Sequence, residues 1–209
     1  MRSCSNLTMR LLSRLLLLAA LASTVLLTSC ETASRGSGGS YRVTAYRPKD
    51  PDNVKVKLST STQHVYVMEG DRLLMAVQGT VGANNTTPTG TFRITNKIKN
   101  KRRISQPDAG YPMAYWCEFK PAYGFHEGFV HARPRSHGCI RLHKEAAARL
   151  FALVKVGTPL QIARSLPEDA EYGSQVQRLD QSRDPDPPRS LLMSPAWFRD
   201  PAGPLLVDR

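Results

Sequence analysis

Residues 124–142 read GFHEGFVHARPRSHGCIRL and combine one cysteine, three histidines and three arginines. Cys139 follows Gly138 directly, and His126 precedes it by thirteen residues. A thiolate rather than a thiol attacks carbonyl carbon, and a free cysteine with a pKa near 8.5 is only slightly ionised at neutral pH. A nearby imidazole can take the proton, and positive charge favours the anion. The pattern therefore predicts nucleophilic catalysis by Cys139, with His126 as general base and later proton donor.

The same stretch resembles the catalytic domain of the L,D-transpeptidases, the YkuD family. That family has an upstream histidine followed by Ser-His-Gly-Cys-hydrophobic-Arg, which residues 136–141 match and His126 completes. The resemblance extends back through residues 113–116 and 87–92 and covers roughly 54–164. It implies a mainly β domain, sandwich-like or barrel-like, with one helix directly after the cysteine loop.

The resemblance also implies roles for the residues around the nucleophile. His137 would orient the loop, and the backbone N–H groups of Gly138 and Cys139 would form the oxyanion region. Glycine suits that task because it permits a tight backbone turn. The side chains expected to bind substrate are those of Ser136, Arg141, Tyr115 and Trp116. For Arg141 the alternative is a structural role in holding the loop.

The substrate implied by the resemblance is the tetrapeptide stem of peptidoglycan. Cys139 would attack the carbonyl of the third residue, release the terminal D-alanine and retain the acyl group as a thioester. A stem amine would then give a 3→3 cross-link, a lysine of an envelope protein would give a protein–wall bond, and water would give a carboxypeptidase. The sequence leaves the acceptor open. A non-catalytic wall-binding lipoprotein is the alternative outside enzymes, and the intact cysteine, histidine and arginine positions argue against it.

Zinc binding is the rival chemistry for this region. Five potential ligands are close in sequence, namely His126, His131, His137, Cys139 and His143. Thiolate and imidazole are common zinc ligands. The chain has no Cys-x-x-Cys or His-Glu-x-x-His spacing, and the family resemblance requires no metal. We therefore expect neither a metal nor another cofactor.

The N-terminal sequence predicts export and lipid attachment. Arginines precede an uncharged, leucine-rich run at 15–29, which as a helix would span about 22 Å, short of the roughly 30 Å hydrocarbon core. We interpret residues 1–29 as a signal peptide. It ends in Leu-Thr-Ser before Cys30, which resembles a bacterial lipobox. Lipid on Cys30 would anchor the protein to the extracytoplasmic side of a membrane, the outer membrane in a Gram-negative cell. The alternative is an ordinary cleaved signal that leaves a free thiol.

Composition divides the remaining chain into three parts. Residues 30–53 contain the lipidated cysteine and a Ser/Gly-rich stretch expected to be a flexible tether. Residues 54–166 form the catalytic domain, and the Pro-rich residues 167–209 are expected to be a disordered tail. The formal net charge of +12 predicts an anionic partner or surface, the alternative being a solvated basic surface with no dedicated partner. The export signal favours the cell envelope over nucleic acid as that partner.

Periodicity within the domain predicts short strands and one helix. Apolar residues alternate at 54–58, and a turn at 69–71 joins two further strand patterns. The helix is predicted around residues 147–154, ending before Gly157. The basic run at 97–103 is either a grip for anionic groups or a solvated loop. Cys117 is expected to pack on a strand, because a disulfide with Cys139 would block the nucleophile.

Overall fold

The computed structural model describes residues 41–209, and the predicted signal peptide and lipidation site lie outside them. Nine strands and three short α-helices are found within that range. The strands are β1 (Val54–Ser59), β2 (His64–Glu69), β3 (Arg72–Thr80), β4 (Gly90–Arg93), β5 (Asn96–Ile98), β6 (Trp116–Lys120), β7 (Tyr123–Glu127), β8 (Ile140–Leu142) and β9 (Pro159–Ala163). The helices are α1 (Lys144–Leu153), α2 (Glu168–Tyr172) and α3 (Arg189–Met193).

The strands form one curled, mixed sheet in the order β4-β9-β1-β2-β3-β8-β7-β6-β5. Most neighbours are antiparallel, but β1 pairs with β9 and β7 pairs with β8 in parallel. The parallel β7–β8 pair requires the chain to cross over between them, and this connection contains the histidine-rich and arginine-rich loop. The predicted mainly β fold is confirmed.

Burial explains why β2 reads as a continuous apolar run. Val65 and Val67 face the main core, which also contains the buried residues of α1. Tyr66 and Met68 face the other side of the sheet, where they pack with Leu166 and other residues near α2. A strand covered on both faces has no polar face to expose.

Helix α1 directly follows the cysteine loop, as predicted, but begins at Lys144 rather than near residue 147. Three consecutive alanines at 146–148 are good helix formers and all are buried. Lys97, a member of the basic run, caps the last turn of α1. Its ammonium donates to Phe151 O and Val154 O at 2.7 and 2.5 Å. Lys97 therefore stabilises the helix end and is not part of a solvated loop.

The structure corrects the disordered tail predicted for residues 167–209. This segment contains α2 and α3, and Phe198 is 8% exposed and packs into the main core. The described part of the predicted tether, residues 41–53, also packs on the domain. Val207 N donates to Ala45 O at 2.9 Å, and Arg47 N donates to Val207 O at 2.8 Å. The averaged composition of these segments hides the few apolar residues that anchor them.

No helix within residues 41–209 is both long enough and apolar enough to cross a bilayer.

Candidate active site

The loop before Cys139 is fixed by hydrogen bonds within it. Ser136 Oγ accepts from Gly138 N at 3.0 Å and donates to Cys139 O at 2.5 Å. Gly138 has φ +135°, and a Cβ there would lie 2.5 Å from Tyr123 Cε1. Glycine is therefore required at 138 both by backbone conformation and by space. These contacts stabilise the observed shape of the loop.

Thr87, from the TPTG stretch, connects this loop to a neighbouring segment. Its buried hydroxyl donates to Gly138 O at 2.9 Å and accepts from Gly82 N at 2.8 Å. Gly82 in turn forms a β-bridge with Ser136. The stretch that the resemblance identified at 87–92 thus supports the cysteine loop from outside it.

We predict that Thr87→Val destabilises the protein by about 2–4 kcal/mol, because it leaves the buried Gly82 N–H and Gly138 carbonyl without a partner. Valine has nearly the same volume, so packing is preserved. Urea unfolding measures the change, and Thr87→Ser, which keeps the hydroxyl, is the matched control. Equal stability of the valine and wild-type proteins would contradict this role.

Strand register places His126 and Cys139 on the same face of the sheet. His126 on β7 pairs with Arg141 on β8, and Phe125 pairs with Ile140. Cys139 precedes Ile140 and therefore shares a face with Arg141 and His126, because successive side chains alternate. Both Cys139 and His126 line one cavity of about 720 Å³.

The hydrogen bond of His126 determines which ring nitrogen is available. Nδ1 lies 2.6 Å from the carbonyl oxygen of Glu127. A carbonyl can only accept, so Nδ1 carries the proton and neutral Nε2 is left with its lone pair. This is the tautomer that a general base for the thiol requires.

Burial favours the neutral forms of both His126 and Cys139. It lowers the pKa of His126 to about 4, with a smaller contribution in the same direction from the Arg141 charge; the hydrogen bond to Glu127 opposes the shift. Burial also raises the pKa of Cys139, against a backbone hydrogen bond from Gly124 and the charges of Arg141 and Arg103. The resting pair is therefore a thiol and an imidazole rather than a thiolate and an imidazolium.

The cavity contains most of the side chains that the sequence indicated. Ser136, His137, Cys139, Arg141, Trp116 and His126 all line it. The Arg141 guanidinium makes no hydrogen bond or ion pair with any residue in 41–209. Its aliphatic stem packs over Gly128, where a Cβ would lie 3.3 Å from it. A cation held in this way is available to an anionic ligand.

Two predictions are corrected by the structure. Tyr115 is 1% exposed and does not line the cavity; its ring packs near Phe151 and its hydroxyl donates to Asp200 Oδ1 at 3.0 Å. It is a core residue because its strand neighbour Trp116 takes the cavity-facing position. The Gly138 N–H already donates to Ser136 Oγ, so in this structure it is not free for an oxyanion, and the Cys139 N–H remains the candidate donor.

Tyr111 also lines the cavity and was missed by sequence reasoning, and so does Arg103, which sequence reasoning included only as a member of the basic run. Both belong to residues 99–115, which form a hairpin-like flap between β5 and β6. Arg103 N donates to Tyr111 O at 2.8 Å, and Met113 N donates to Lys101 O at 2.9 Å across the flap. The only sign of this flap in the sequence was the basic run, and in the structure the residues of that run contact different parts of the protein.

Cys117 and Cys139 lie on opposite faces of the sheet. Cys117 pairs with Phe125, which pairs with Ile140, so all three side chains face the buried core. Cys139 is one residue before Ile140 and faces the cavity. Both thiols are free. A disulfide between them would require the sheet to rearrange.

Glu127 is a buried carboxyl group directly behind the site. It is 8% exposed, and its Oε2 has no hydrogen-bond partner. Burial raises its pKa to about 7, and the nearby Lys144 and Trp197 only partly offset this. Its pKa when folded exceeds the ordinary 4.5, so its contribution to stability is full below pH 4.5 and is lost as pH rises through 7.

We predict that Glu127→Gln raises the free energy of unfolding by about 2–3 kcal/mol at pH 8, because glutamine carries no charge to bury. At pH 5 the carboxyl group is largely protonated and the substitution has little effect. Denaturant unfolding at the two pH values measures the difference. His126 contributes equally in both proteins, so a pH-independent difference would contradict the assignment to Glu127.

Within residues 41–209 no group of three or more His, Cys, Asp or Glu side chains is arranged to hold a metal ion. Of the five ligands considered for zinc, His131 is buried, and its Nδ1 lies 4.0 Å from Asp180. His143 caps α1 by accepting from Glu145 N at 3.2 Å. His143 thus has a local structural role, whereas His131 Nδ1 has no hydrogen-bond partner among residues 41–209.

The sequence pattern of the YkuD family, the L,D-transpeptidase catalytic domain, matches residues 53–162, more than half of the chain. This protein therefore belongs to the L,D-transpeptidase catalytic domain family, as the sequence resemblance predicted. A search of curated proteins found no match.

Several solved L,D-transpeptidases are similar in structure at low sequence identity. The enzyme from Stackebrandtia nassauensis is 20% identical over 59% of this chain and 60% of its own, with a TM-score of 0.49. The one from Xylanimonas cellulosilytica is 20% identical over 59% and 65%, also with a TM-score of 0.49. L,D-transpeptidase 1 of Mycobacterium tuberculosis is 23% identical over 53% and 61%, with a TM-score of 0.45. The match thus spans less than two thirds of these proteins.

Proposed function

We propose that this protein is a peptidoglycan L,D-transpeptidase that forms a thioester on Cys139 from tetrapeptide stems. The observation that carries the proposal is the shared cavity of Cys139 and His126 in a chain of this family. The free lone pair of His126 Nε2, implied by the hydrogen bond of Nδ1, supports its role as base. The Arg141 guanidinium, which has no hydrogen-bond or ion-pair partner among residues 41–209, favours a substrate that carries a carboxylate.

In the proposed reaction, Cys139 Sγ attacks the carbonyl carbon of the third stem residue while His126 Nε2 takes the thiol proton. The tetrahedral oxyanion then collapses, and the C–N bond to D-alanine breaks. His126 returns the proton to the departing amine. An acceptor amine attacks the thioester and releases the thiol, giving either a 3→3 cross-link or a bond to an envelope protein.

Mass spectrometry of muropeptides tests this proposal. Tetrapeptide muropeptides incubated with the protein are expected to lose D-alanine and form dimers joined between two third residues. Adding an envelope protein with exposed lysines tests the alternative acceptor. Products that contain tripeptides alone would assign hydrolysis instead, and unchanged tetrapeptides would refute the proposed function.

We also propose that lipid on Cys30 anchors the protein to the outer face of a bacterial membrane or to the outer membrane. The lipobox-like sequence supports this location. Metabolic labelling with a fatty acid is expected to label the wild type and not Cys30→Ser. An unlabelled wild type would favour a cleaved signal with a free thiol.

A further inference from the structure

The flap formed by residues 99–115 reaches the cavity from one side and the C-terminal segment from the other. Lys101, Arg103, Tyr111 and Met113 line the cavity that contains Cys139. Arg102, between two of them in sequence, forms a bridge with Pro112. Its guanidinium donates to Gly110 O at 2.8 Å, so it stabilises the hairpin from within.

The same guanidinium also binds the C-terminal segment 189–200, here called the brace. It donates to Leu192 O and to Met193 O, both at 3.1 Å, and lies 4.9 Å from the centre of the Phe198 ring. One side chain thus joins the flap to three brace residues. Charge-assisted hydrogen bonds of this kind are stronger than those between neutral groups.

The brace is in turn attached to the rigid part of the domain. Phe198 is buried in the main core, and Trp197 O accepts from the Lys144 ammonium on α1 at 2.7 Å. Asp200 pairs with Lys99 at 2.7 Å and accepts from Tyr115 OH at 3.0 Å, so it binds both ends of the flap. The brace is therefore fixed between the helix after the nucleophile and the flap over the cavity.

We propose that residues 189–200 hold the flap in place beside Cys139 and that Arg102 is the positioning residue through which they act. The brace lies outside the residues matched by the family, 53–162. Its function would be to keep Arg103 and Tyr111 at the cavity when no substrate is bound. A flap without this attachment would move these side chains away from the thiol.

Two measurements on the full-length protein test this inference without a peptidoglycan substrate, so their outcome does not depend on the proposed function. Hydrogen exchange followed by mass spectrometry reports on the flap amides, which include the cross-flap bonds of Arg103 and Gly110. We expect Arg102→Ala to increase exchange at 99–115 by about ten- to hundred-fold, with β1–β3 unchanged. Arg102→Lys keeps the charge but loses the planar guanidinium that donates several hydrogen bonds at once. It should give an intermediate increase in exchange.

The second measurement is the pH dependence of Cys139 alkylation by iodoacetamide. Burial raises the pKa of Cys139 and the Arg103 charge lowers it by less, so release of the flap in Arg102→Ala should move the profile to lower pH as water reaches the thiol. Arg103→Ala keeps the bonds of Arg102 to the brace and removes a charge that lowers the pKa of Cys139, so it should move the profile the other way, to higher pH. Arg47→Ala is the matched control, since Arg47 also binds the C-terminal region, at Asp208, but does not touch the flap.

An unchanged flap exchange and an unchanged alkylation profile in Arg102→Ala would overturn the proposal. Faster exchange spread over the whole sheet would show a general loss of stability and would also count against it. If Arg102→Ala does not fold, the same criteria apply to Arg102→Lys.

Discussion

Cys139→Ala is expected to abolish the covalent adduct that the protein forms with a carbapenem, a reactive β-lactam that acylates thiolates. Cys139 is the only thiol within residues 41–209 that lines the cavity, because Cys117 faces the core with a pKa raised to about 12 by burial. The alanine variant lacks the nucleophile itself, so no residual rate is expected. Intact-protein mass spectrometry detects the adduct.

The matched control for this experiment is Cys117→Ala, which removes a thiol from the opposite face of the sheet. It should still acquire one carbapenem, because nothing at the cavity changes. Circular dichroism should show the same fold for both variants. An adduct on Cys139→Ala would mean that another group is the nucleophile.

His126→Gln is expected to slow acylation of Cys139 by about 10²–10⁴-fold, the usual contribution of a positioned general base. Glutamine keeps a similar size and can form hydrogen bonds, but it cannot take the thiol proton. The rate of carbapenem acylation measured by the loss of β-lactam absorbance gives this effect directly. Thermal unfolding of the variant serves as the control for folding.

The pH dependence separates a base from a structural histidine. In the wild type the rate should persist down to about pH 5, because His126 has a pKa of about 4 and stays neutral above it. In His126→Gln the reaction depends on free thiolate, whose fraction rises about tenfold per pH unit below the pKa of Cys139. A variant with the wild-type rate and the wild-type profile would exclude His126 as the base.

Local sequence patterns were sufficient to predict the fold class and to select Cys139 and His126, which line one cavity. Alternation at Val54, Val56 and Leu58 marks β1 because one set of side chains is buried while Lys55 is exposed. The cysteine motif predicts a loop because its residues stabilise that loop themselves. Ser136 forms hydrogen bonds to Gly138 and Cys139, which lie only a few residues away. Such short-range constraints are visible in one sequence.

The parts that sequence did not predict depend on long-range contacts. Arg102 and Phe198 are nearly a hundred residues apart, and neither side chain alone signals the contact between them. Tyr115 and Trp116 are adjacent aromatic residues, and only the sheet register shows that one is in the core and the other at the cavity. Lys97 belongs to a basic run but caps a helix more than fifty residues away.

In the sequence, Glu127 is distinguished only by its position directly after His126. Its significance comes from burial behind the cavity, which raises its pKa and leaves one oxygen without a partner. Burial on that scale depends on α1 and on Trp197, which reach Glu127 only after the chain has folded. Charge-state effects of this kind cannot be read from residue spacing.

The central claim is that Cys139 holds the donor stem as a thioester whose formation requires His126. Incubation with a tetrapeptide muropeptide, rapid acid quenching and peptide mapping by mass spectrometry test it most directly. The account predicts that the peptide containing Cys139 gains the mass of the donor minus D-alanine, and that this gain is strongly reduced in His126→Gln. An adduct on another residue, or release of D-alanine by Cys139→Ala, would contradict it.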